Sequence, residues 1–317
     1  MAFVGKGGSG KTTLAALTAR RLATEPLLAI DADINQHLAA ALGASEDEAV
    51  LLPALGDHLE FIKGYLKGVN PRIGSISSMV KTTPPGRGSR LLTVDGANPI
   101  YDMLVRSVGG VRLAVTGPFA TEDLGVACYH SKVGAVELLL NHLVDGPGEY
   151  VVVDMTAGAD SFASGLFTRF DTTFLVCEPT LRSVGVYRQY VGYAREFGVR
   201  VCVVGNKIDD QSDVDFLRSH VGDDLLTCFS RSRFVKAGER GRVRPMNELE
   251  PANIAALELI KETVDGVEKD WPTYTRQAHE FHRRNAHAWA SARAGEDLTA
   301  QIDTEYVLGY AESIEKG

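Results

Sequence analysis

The stretch that decides the fold is Gly5-Lys6-Gly7-Gly8-Ser9-Gly10-Lys11-Thr12-Thr13. An apolar run at 2–4 precedes it and a helix-forming run at 14–22 follows it. Strand, glycine-rich loop and helix in this order are the context of a phosphate-binding loop. The glycines let successive backbone N–H groups face phosphate oxygens, and the helix presents its N-terminus to the anion. The stretch therefore predicts a nucleotide site made of Gly5, Gly7, Gly8, Ser9, Gly10, Lys11, Thr12 and Thr13.

Three side chains of this loop carry the chemistry. Lys11 is expected on the β- and γ-phosphates, and the Thr12 hydroxyl is placed for Mg²⁺. Lys6, directly after the first glycine, gives the loop a second lysine. A lysine there has no evident role within one subunit.

Composition excludes several classes of protein. The 317 residues are 44% hydrophobic, enough for one large domain or a domain with an extension. The formal net charge of −8 argues against nucleic acid as the main partner, because phosphate neutralisation needs clustered cations. No apolar run has the ~18 residues of a membrane span, and no signal peptide is recognised. Four cysteines are too few for a disulfide framework, so we expect a cytoplasmic protein. Since few residues precede the loop, the start codon is expected further upstream.

Carboxylates close two apolar runs. The run at 27–30 ends in Asp31-Ala32-Asp33, and the run at 150–153 ends in Asp154. Carboxylates at the carboxyl ends of parallel strands face the ligand crevice of an open α/β sheet. Asp154 has the form of the carboxylate that holds Mg²⁺ in phosphate-loop proteins. The loop after it contains Gly158, whose backbone N–H is expected against the γ-phosphate.

Strands and helices alternate along the rest of the chain. Further strands are predicted at 112–117, 174–177 and 201–204, and helices at 55–66, 135–143 and 183–196. This alternation predicts an α/β fold with a doubly wound, mostly parallel sheet flanked by helices.

The chain divides into two predicted parts. Residues 1–268 form the nucleotide-binding domain, with a loop-rich insertion at 45–110. Residues 269–317 form an α-helical C-terminal extension, with helices at 276–293 and 297–315. His279 and His282 share one face of the first of these helices, and packing explains them better than a metal.

The strand at 201–204 leads into Gly205-Asn206-Lys207-Ile208-Asp209. Asn206 can hydrogen-bond a nucleobase edge, and Lys207 joins it in the predicted nucleotide site. Asn-Lys-x-Asp is also the guanine-reading form, so Asp209 keeps guanine open beside adenine.

The loop with Lys6 resembles that of the MinD/ParA/nitrogenase-iron-protein class of ATPases, which has a deviant Walker A motif. Within that class the chain resembles the CooC-type accessory ATPases of carbon monoxide dehydrogenase, which are nickel-insertion proteins. The stretches that carry this second resemblance are 30–33, 154–158, 177–183 and 204–207.

The resemblance implies roles for the matching residues. Lys6 would cross a homodimer to the partner's nucleotide, as an arginine finger does in trans. Asp31 and Asp154 would hold Mg²⁺ through water, and Asp33 would align the attacking water. The activity implied is Mg²⁺-dependent ATP hydrolysis.

The family's Cys-x-Cys pair, which forms a metal site shared by two subunits, corresponds here to Cys128-Tyr129-His130. Two thiolates and two imidazoles from a dimer form an acceptable set for Zn²⁺ or Ni²⁺. The simpler interpretation is a lone interfacial cysteine beside an unrelated histidine.

These residues lead to one main functional hypothesis, a homodimeric ATPase switch in metalloenzyme maturation or metal delivery, with an unidentified client protein. A ParA/MinD-like positioning ATPase and a GTPase metallochaperone are the alternatives. An iron–sulfur reductase would need two cysteines from each subunit, and Cys128 is the one good candidate.

Overall fold

The sheet at the centre of the molecule is parallel except at one edge. The computed structural model describes residues 1–118, 129–158, 162 and 165–309, with the side chains of 129–132 left out. Among these residues eight strands form one sheet in the order β10-β9-β8-β1-β7-β2-β5-β4, and two more form a small second sheet. The strands are β1 Ala2–Gly5, β2 Leu27–Ala32, β3 Leu92–Thr93, β4 Arg106–Val108, β5 Val111–Val115, β6 Leu143–Val144, β7 Tyr150–Met155, β8 Thr173–Cys177, β9 Val201–Ile208 and β10 Leu225–Ser230.

Helices cover both faces of this sheet. They are α1 Lys11–Arg21, α2 His37–Leu42, α3 Glu46–Val50, α4 Leu59–Lys67, α5 Pro99–Leu104, α6 Tyr129–Asn141, α7 Leu181–Ala194, α8 Gln211–Val221, α9 Arg233–Gly238, α10 Pro251–Asp265, α11 Trp271–Asn285 and α12 Ser291–Ala294. A π-helical turn, Ala286–Ala290, joins the last two. Within the described residues, none of the helices combines the length and hydropathy that a membrane span requires.

Burial on both faces explains why the central strands are continuous apolar runs. All six residues of β2 and all six of β7 are buried. Val4 and Ile30 belong to the core on one face, while Phe3 and Ala29 belong to the core on the other. The predicted doubly wound, mostly parallel sheet is therefore confirmed.

The exception at the edge is a hairpin that the sequence analysis did not predict. β4 pairs antiparallel with β5. Gly109 and Gly110 connect them with φ values of 58° and 83°. Two consecutive residues with positive φ form the tight turn that suits the twist of a hairpin. The Gly-Gly pair was the signal for this strand.

The segment 45–110 packs into the main core through several short elements. Leu55, Ile62, Leu66 and Met79 are buried in the same cluster as Ile30. The core thus extends under the segment that we expected to be rich in loops.

The C-terminal extension is helical at first and then extended. The predicted helix at 276–293 lies within α11, the π-helical turn and α12. The predicted helix at 297–315 is wrong over the described residues, where a single 3₁₀ turn, Leu298–Gln301, precedes non-helical chain up to 309. Tertiary contacts override helix propensity here, since Tyr306 and Leu308 are buried and the Leu308 N–H donates to Thr275 Oγ1.

Side-chain contacts fasten the extension to the domain. The Tyr274 hydroxyl donates to Leu140 O at 2.7 Å, and the buried Arg169 guanidinium donates to Tyr274 O at 3.0 Å. Phe281 packs edge-on against Phe167 with 5.4 Å between ring centroids. Removing the extension would therefore expose an apolar surface and a buried cation.

Candidate functional site: the phosphate-binding loop

The loop after β1 has the backbone that its glycines permit. Gly8 has a φ of 78° and Gly10 a φ of 95°. A Cβ atom at Gly10 would lie 2.2 Å from the side-chain nitrogen of Asn206, so the position also needs a residue without a side chain. α1 begins at Lys11, and glycine as its N-cap residue offers no side chain to the first N–H groups. These groups are left for an anion, as a phosphate-binding loop requires.

Lys11 lies between two carboxylates. Its Nζ is 2.9 Å from Asp33 Oδ2 and 3.6 Å from Asp154 Oδ1. Burial lowers the pKa of Lys11, but the charges of Asp154 and Asp33 outweigh burial and raise it. The Lys11 ammonium is therefore charged at neutral pH. The phosphates predicted at this loop would compete with Asp33 and Asp154 for contact with it.

Asp31 and Asp154 lie side by side because β2 and β7 are neighbours. Their Cα atoms are direct partners in the register of the two strands. Asp31 accepts hydrogen bonds from the N–H groups of Asp33 and Leu38 at 3.1 and 2.9 Å. Both carboxylate oxygens of Asp154 are buried and have no hydrogen-bond partner within the described ranges.

This pair fits a divalent cation. Burial, with the charge of Asp154 adding to it, raises the pKa of Asp31 to about 8. Burial raises the pKa of Asp154 to about 6, although Lys11 opposes the shift. Two buried carboxylates in register, one of them with unbonded oxygens, are the oxygen ligands that Mg²⁺ takes, directly or through water. Thr12, whose hydroxyl was also predicted to face Mg²⁺, lies in the first turn of α1.

Asp33 is held ionised at the end of β2. Its Oδ1 accepts hydrogen bonds from the Asn35 backbone N–H at 3.1 Å and from the Asn35 side chain at 2.8 Å. Burial raises the pKa of Asp33, but the charge and hydrogen bond of Lys11 outweigh it, so the pKa lies below its ordinary value. Such a carboxylate is a poor proton acceptor, and aligning a water molecule is the role that it suits.

Lys6 has a partner within its own subunit, which the sequence analysis missed. Its Nζ lies 3.0 Å from Glu178 Oε2, and the Lys207 ammonium lies 2.7 Å from the other oxygen of the same carboxylate. Lys207 also donates to Gly8 O at 2.6 Å. Burial raises the pKa of Glu178, but hydrogen bonds from Lys207 and Lys6 outweigh it and keep the pKa below its ordinary value. Glu178 thus connects Lys6 of the loop with Lys207 of β9.

Asn206 and Lys207 end β9 against the loop. The Asn206 side-chain N–H donates to Ser9 O at 2.7 Å. Lys207 has a φ of 60°, which is uncommon for a residue with a side chain. Asp209, the residue that would read guanine, pairs instead with Arg231 at 2.8 Å.

Some predicted site residues are brought together and others are not described. Lys6, Lys11, Asp31, Asp33, Asp154, Asn206 and Lys207 all belong to the contacts above. Gly158 follows β7 with a φ of 75°. Cys128 lies outside the described residues, and His130 is described only as backbone of α6.

The two histidines of α11 are packing residues. His282 is fully buried, with its ring nitrogens 3.3 Å from Thr82 Oγ1 and 2.9 Å from Leu298 O. Burial, with the charge of Arg283 adding to it, lowers the pKa of His279 to about 4. No group of three or more potential His, Cys, Asp or Glu metal ligands is found in the described part of the chain.

Comparison with known proteins gives both a relative and a fold. No family model matches the chain. The carbon monoxide dehydrogenase accessory protein CooC of Rhodospirillum rubrum is 30% identical over 245 residues, which are 76% of this chain and 86% of that protein. A chain of the MinC:MinD cell division protein complex of Aquifex aeolicus aligns with a TM-score of 0.55 at 19% identity, covering 85% of this chain and 97% of that chain. The septum site-determining protein MinD complexed with Mg-ADP, from Pyrococcus horikoshii, aligns with a TM-score of 0.52 at 15% identity, covering 83% and 96%. The last two are likenesses of fold.

Proposed function

We propose a function from the premise that this chain belongs to the CooC family of accessory ATPases. Its ATP hydrolysis would open and close a homodimer in metalloenzyme maturation or metal delivery. The observation that carries the proposal is the cluster at the loop, where Lys11 lies within 3.6 Å of both Asp33 and Asp154. The site therefore contains both the groups that hold phosphates and the groups that act on water.

Each residue of the cluster has one task in phosphoryl transfer, which needs positioning and charge neutralisation above all. The backbone of the loop and Lys11 hold the phosphates. Asp33 aligns the attacking water. Mg²⁺, when bound near Thr12, Asp31 and Asp154, neutralises charge on the phosphate oxygens. Asn206 and Lys207 lie beside the loop, where the base of the nucleotide would lie.

The dimer assigns a role to Lys6. Its side chain is 32% exposed and its partner Glu178 is 17% exposed, so their ion pair is accessible to solvent. Such pairs contribute at most about 1 kcal/mol, which a phosphate in the opposite subunit can replace. We infer that Lys6 leaves Glu178 when two nucleotide-loaded subunits meet and then contacts the partner's ATP.

Metal delivery is the finer part of the proposal. Cys128 precedes α6 in the sequence and His130 is the second residue of that helix, and two copies would give two thiolates and two imidazoles. Zn²⁺ and Ni²⁺ both suit such a set, and the client would be a metalloenzyme of the cytoplasm. Metal titration of the ATP-bound dimer, with Cys128→Ser as the comparison, tests this part separately from hydrolysis.

Two substitutions test the main proposal. Lys11→Ala should abolish ATP binding, phosphate release and nucleotide-dependent dimerisation. Asp33→Ala should bind ATP, release phosphate at least ~100-fold more slowly and remain dimeric in sedimentation with Mg²⁺ and ATP. Glu280→Gln is the control, because that carboxylate pairs with Arg284 on α11 of the C-terminal extension. Normal turnover by Asp33→Ala, or a failure to trap a dimer, would refute the mechanism.

A further inference from the structure

We propose that a pocket between the ATPase domain and the C-terminal helices binds a small organic anion with an apolar body. The pocket has a volume of about 550 Å³, which is within the usual range for small-molecule sites. None of its lining residues belongs to the phosphate-binding loop. They come instead from α4, the segment 77–81, α6 and the chain from Asn285 to Ala294.

The charge of the lining selects for an anion. Lys63, Lys81 and Arg293 line the pocket, and no carboxylate side chain is among its lining residues. The whole chain has a net charge of −8, so this concentration of positive charge runs against its composition. A cleft lined by charges of one sign concentrates ligands of the opposite sign.

These cations are only partly neutralised by the protein. The side chain of Lys63 is 10% exposed and pairs with Glu60, which is itself 71% exposed. Lys81 is 15% exposed, and its ammonium lies 3.8 Å from a Glu137 oxygen, at the long limit of an ion pair. Arg293 makes no ion pair with any described residue. Lys63 and Lys81 are thus mostly removed from water, and Arg293 is exposed but unpaired among the described residues. Such cations favour a ligand that brings a negative charge.

The rest of the lining is mostly apolar, with Ser77 and Asn285 as its polar residues. Leu59, Met79 and Val80 form one part of the wall, and the Trp289 ring forms another. Trp289 belongs to the π-helical turn, a conformation often found at functional sites, and its indole N–H donates to Asn285 Oδ1 at 3.2 Å. That hydrogen bond orients the ring.

Glu137 connects the pocket residue Lys81 with Gly165, which lies after the loop that follows Asp154. The Glu137 carboxylate that faces Lys81 accepts a hydrogen bond from the Gly165 N–H at 2.9 Å. Gly165 follows that loop in the chain. An anion at Lys81 would therefore compete with Glu137 for the same ammonium.

Two dyes with the same aromatic body form the test. 8-Anilinonaphthalene-1-sulfonate is an anion, and N-phenyl-1-naphthylamine is its neutral counterpart. Each is titrated into the full chain with saturating Mg²⁺ and ADP, so that the nucleotide site is occupied. The chain has two tryptophans, and energy transfer is followed in the Trp271→Phe variant, where Trp289 is the remaining donor.

We expect the anionic dye to bind about fivefold more tightly than the neutral one, which corresponds to about 1 kcal/mol, the upper end of the range for one partly exposed ion pair. Arg293→Gln and Lys81→Met should each weaken the anionic dye about fivefold and leave the neutral dye unchanged. Arg293 is exposed, so its variant is expected to fold. Arg276→Gln is the matched control, since Arg276 is an exposed cation of α11 outside the lining.

Three results would overturn the proposal. Equal affinities for the two dyes would remove the charge selectivity. An Arg293→Gln variant that binds the anion normally would remove the site. Energy transfer that survives Trp289→Phe in a chain retaining Trp271, at the level of the unsubstituted protein, would place the dye elsewhere.

Discussion

Glu178 is predicted to hold the dimer-forming lysine back. One of its carboxylate oxygens lies 3.0 Å from Lys6 Nζ, and the other lies 2.7 Å from Lys207 Nζ. If Lys6 must leave this pair to reach the partner's nucleotide, the pair opposes dimer formation. Glu178→Gln keeps the size of the side chain and removes its charge. We therefore expect this variant to form a tighter ATP-dependent dimer.

The magnitude follows from the exposure of the pair. A partly exposed ion pair contributes up to about 1 kcal/mol, and dimer closure breaks one pair in each subunit. With about 0.7 kcal/mol for each pair, the variant should stabilise the dimer by about 1.4 kcal/mol, or about tenfold in Kd. High salt should reduce this difference because it screens the pair in the free subunit.

Sedimentation velocity over a range of concentrations is the assay. Glu178→Gln is measured with Mg²⁺ and ATP in the Asp33→Ala background, where hydrolysis does not dissolve the dimer. Glu280→Gln in the same background is the matched control, because it removes the charge of a glutamate whose partner is Arg284 on α11. An unchanged or weaker dimer in Glu178→Gln, with the control unchanged, would refute the idea that Glu178 restrains Lys6.

Three further outcomes follow from the packing. Gly10→Ala should destabilise the nucleotide-free protein by about 1–3 kcal/mol, because the position has a φ of 95°. Gly7→Ala should change stability little, since no atom lies within 4 Å of a Cβ there. Equal shifts of the thermal midpoint in the two variants would contradict this. Burial lowers the pKa of His142 to about 4, so at this residue the unfolded chain alone gains a proton as the pH falls from about 6.5, and the contribution of His142 to the free energy of unfolding should drop by about 2 kcal/mol between pH 7 and pH 5. Urea titrations at pH 7 and 5 should show this difference between the unsubstituted protein and His142→Gln, and an equal pH dependence of the two would count against the assignment. Truncation after residue 268 removes Tyr274, whose carbonyl accepts a hydrogen bond from the buried Arg169. The thermal midpoint should therefore fall by more than about 5 °C. An unchanged midpoint would show that the extension does not stabilise the domain.

The central sheet could be predicted because its signals are local. The run at 150–154 is apolar and ends in a carboxylate, and β7 spans Tyr150–Met155 as a fully buried strand. The same form identified β2, whereas the position of Asp31 beside Asp154 comes from the pairing of β2 with β7. Strand runs, loop glycines and terminal carboxylates need no knowledge of distant contacts.

The Glu178 contact depends on sheet order, which has no local signal. β8 lies next to β1, and Gly5 is in register with Val176. The residues that follow these two strands, Lys6 and Glu178, therefore meet. If the strand order were known, the contact between Lys6 and Glu178 could be predicted from the sequence. If the strand order is unknown, Glu178 is only an acidic residue that follows a strand.

The end of the extension could not be predicted for a related reason. Residues 302–309 contain apolar side chains at spacings that a helix could use, but Tyr306 and Leu308 are buried in a cluster with Val144 of the domain and Tyr274 of α11. Those contacts exist only in the folded molecule, so helix propensity alone gave the wrong answer.

Mixing two inactive variants tests the central claim most directly, namely that Lys6 acts on the opposite subunit. Lys6→Ala subunits retain Asp33, and Asp33→Ala subunits retain Lys6. In a mixed dimer, the site of the Lys6→Ala subunit has its own Asp33 and receives Lys6 from its partner. The account predicts that phosphate release, lost in each variant alone, partly returns on mixing. A mixture that stays inactive, while differently tagged subunits co-purify with ATP, would contradict it.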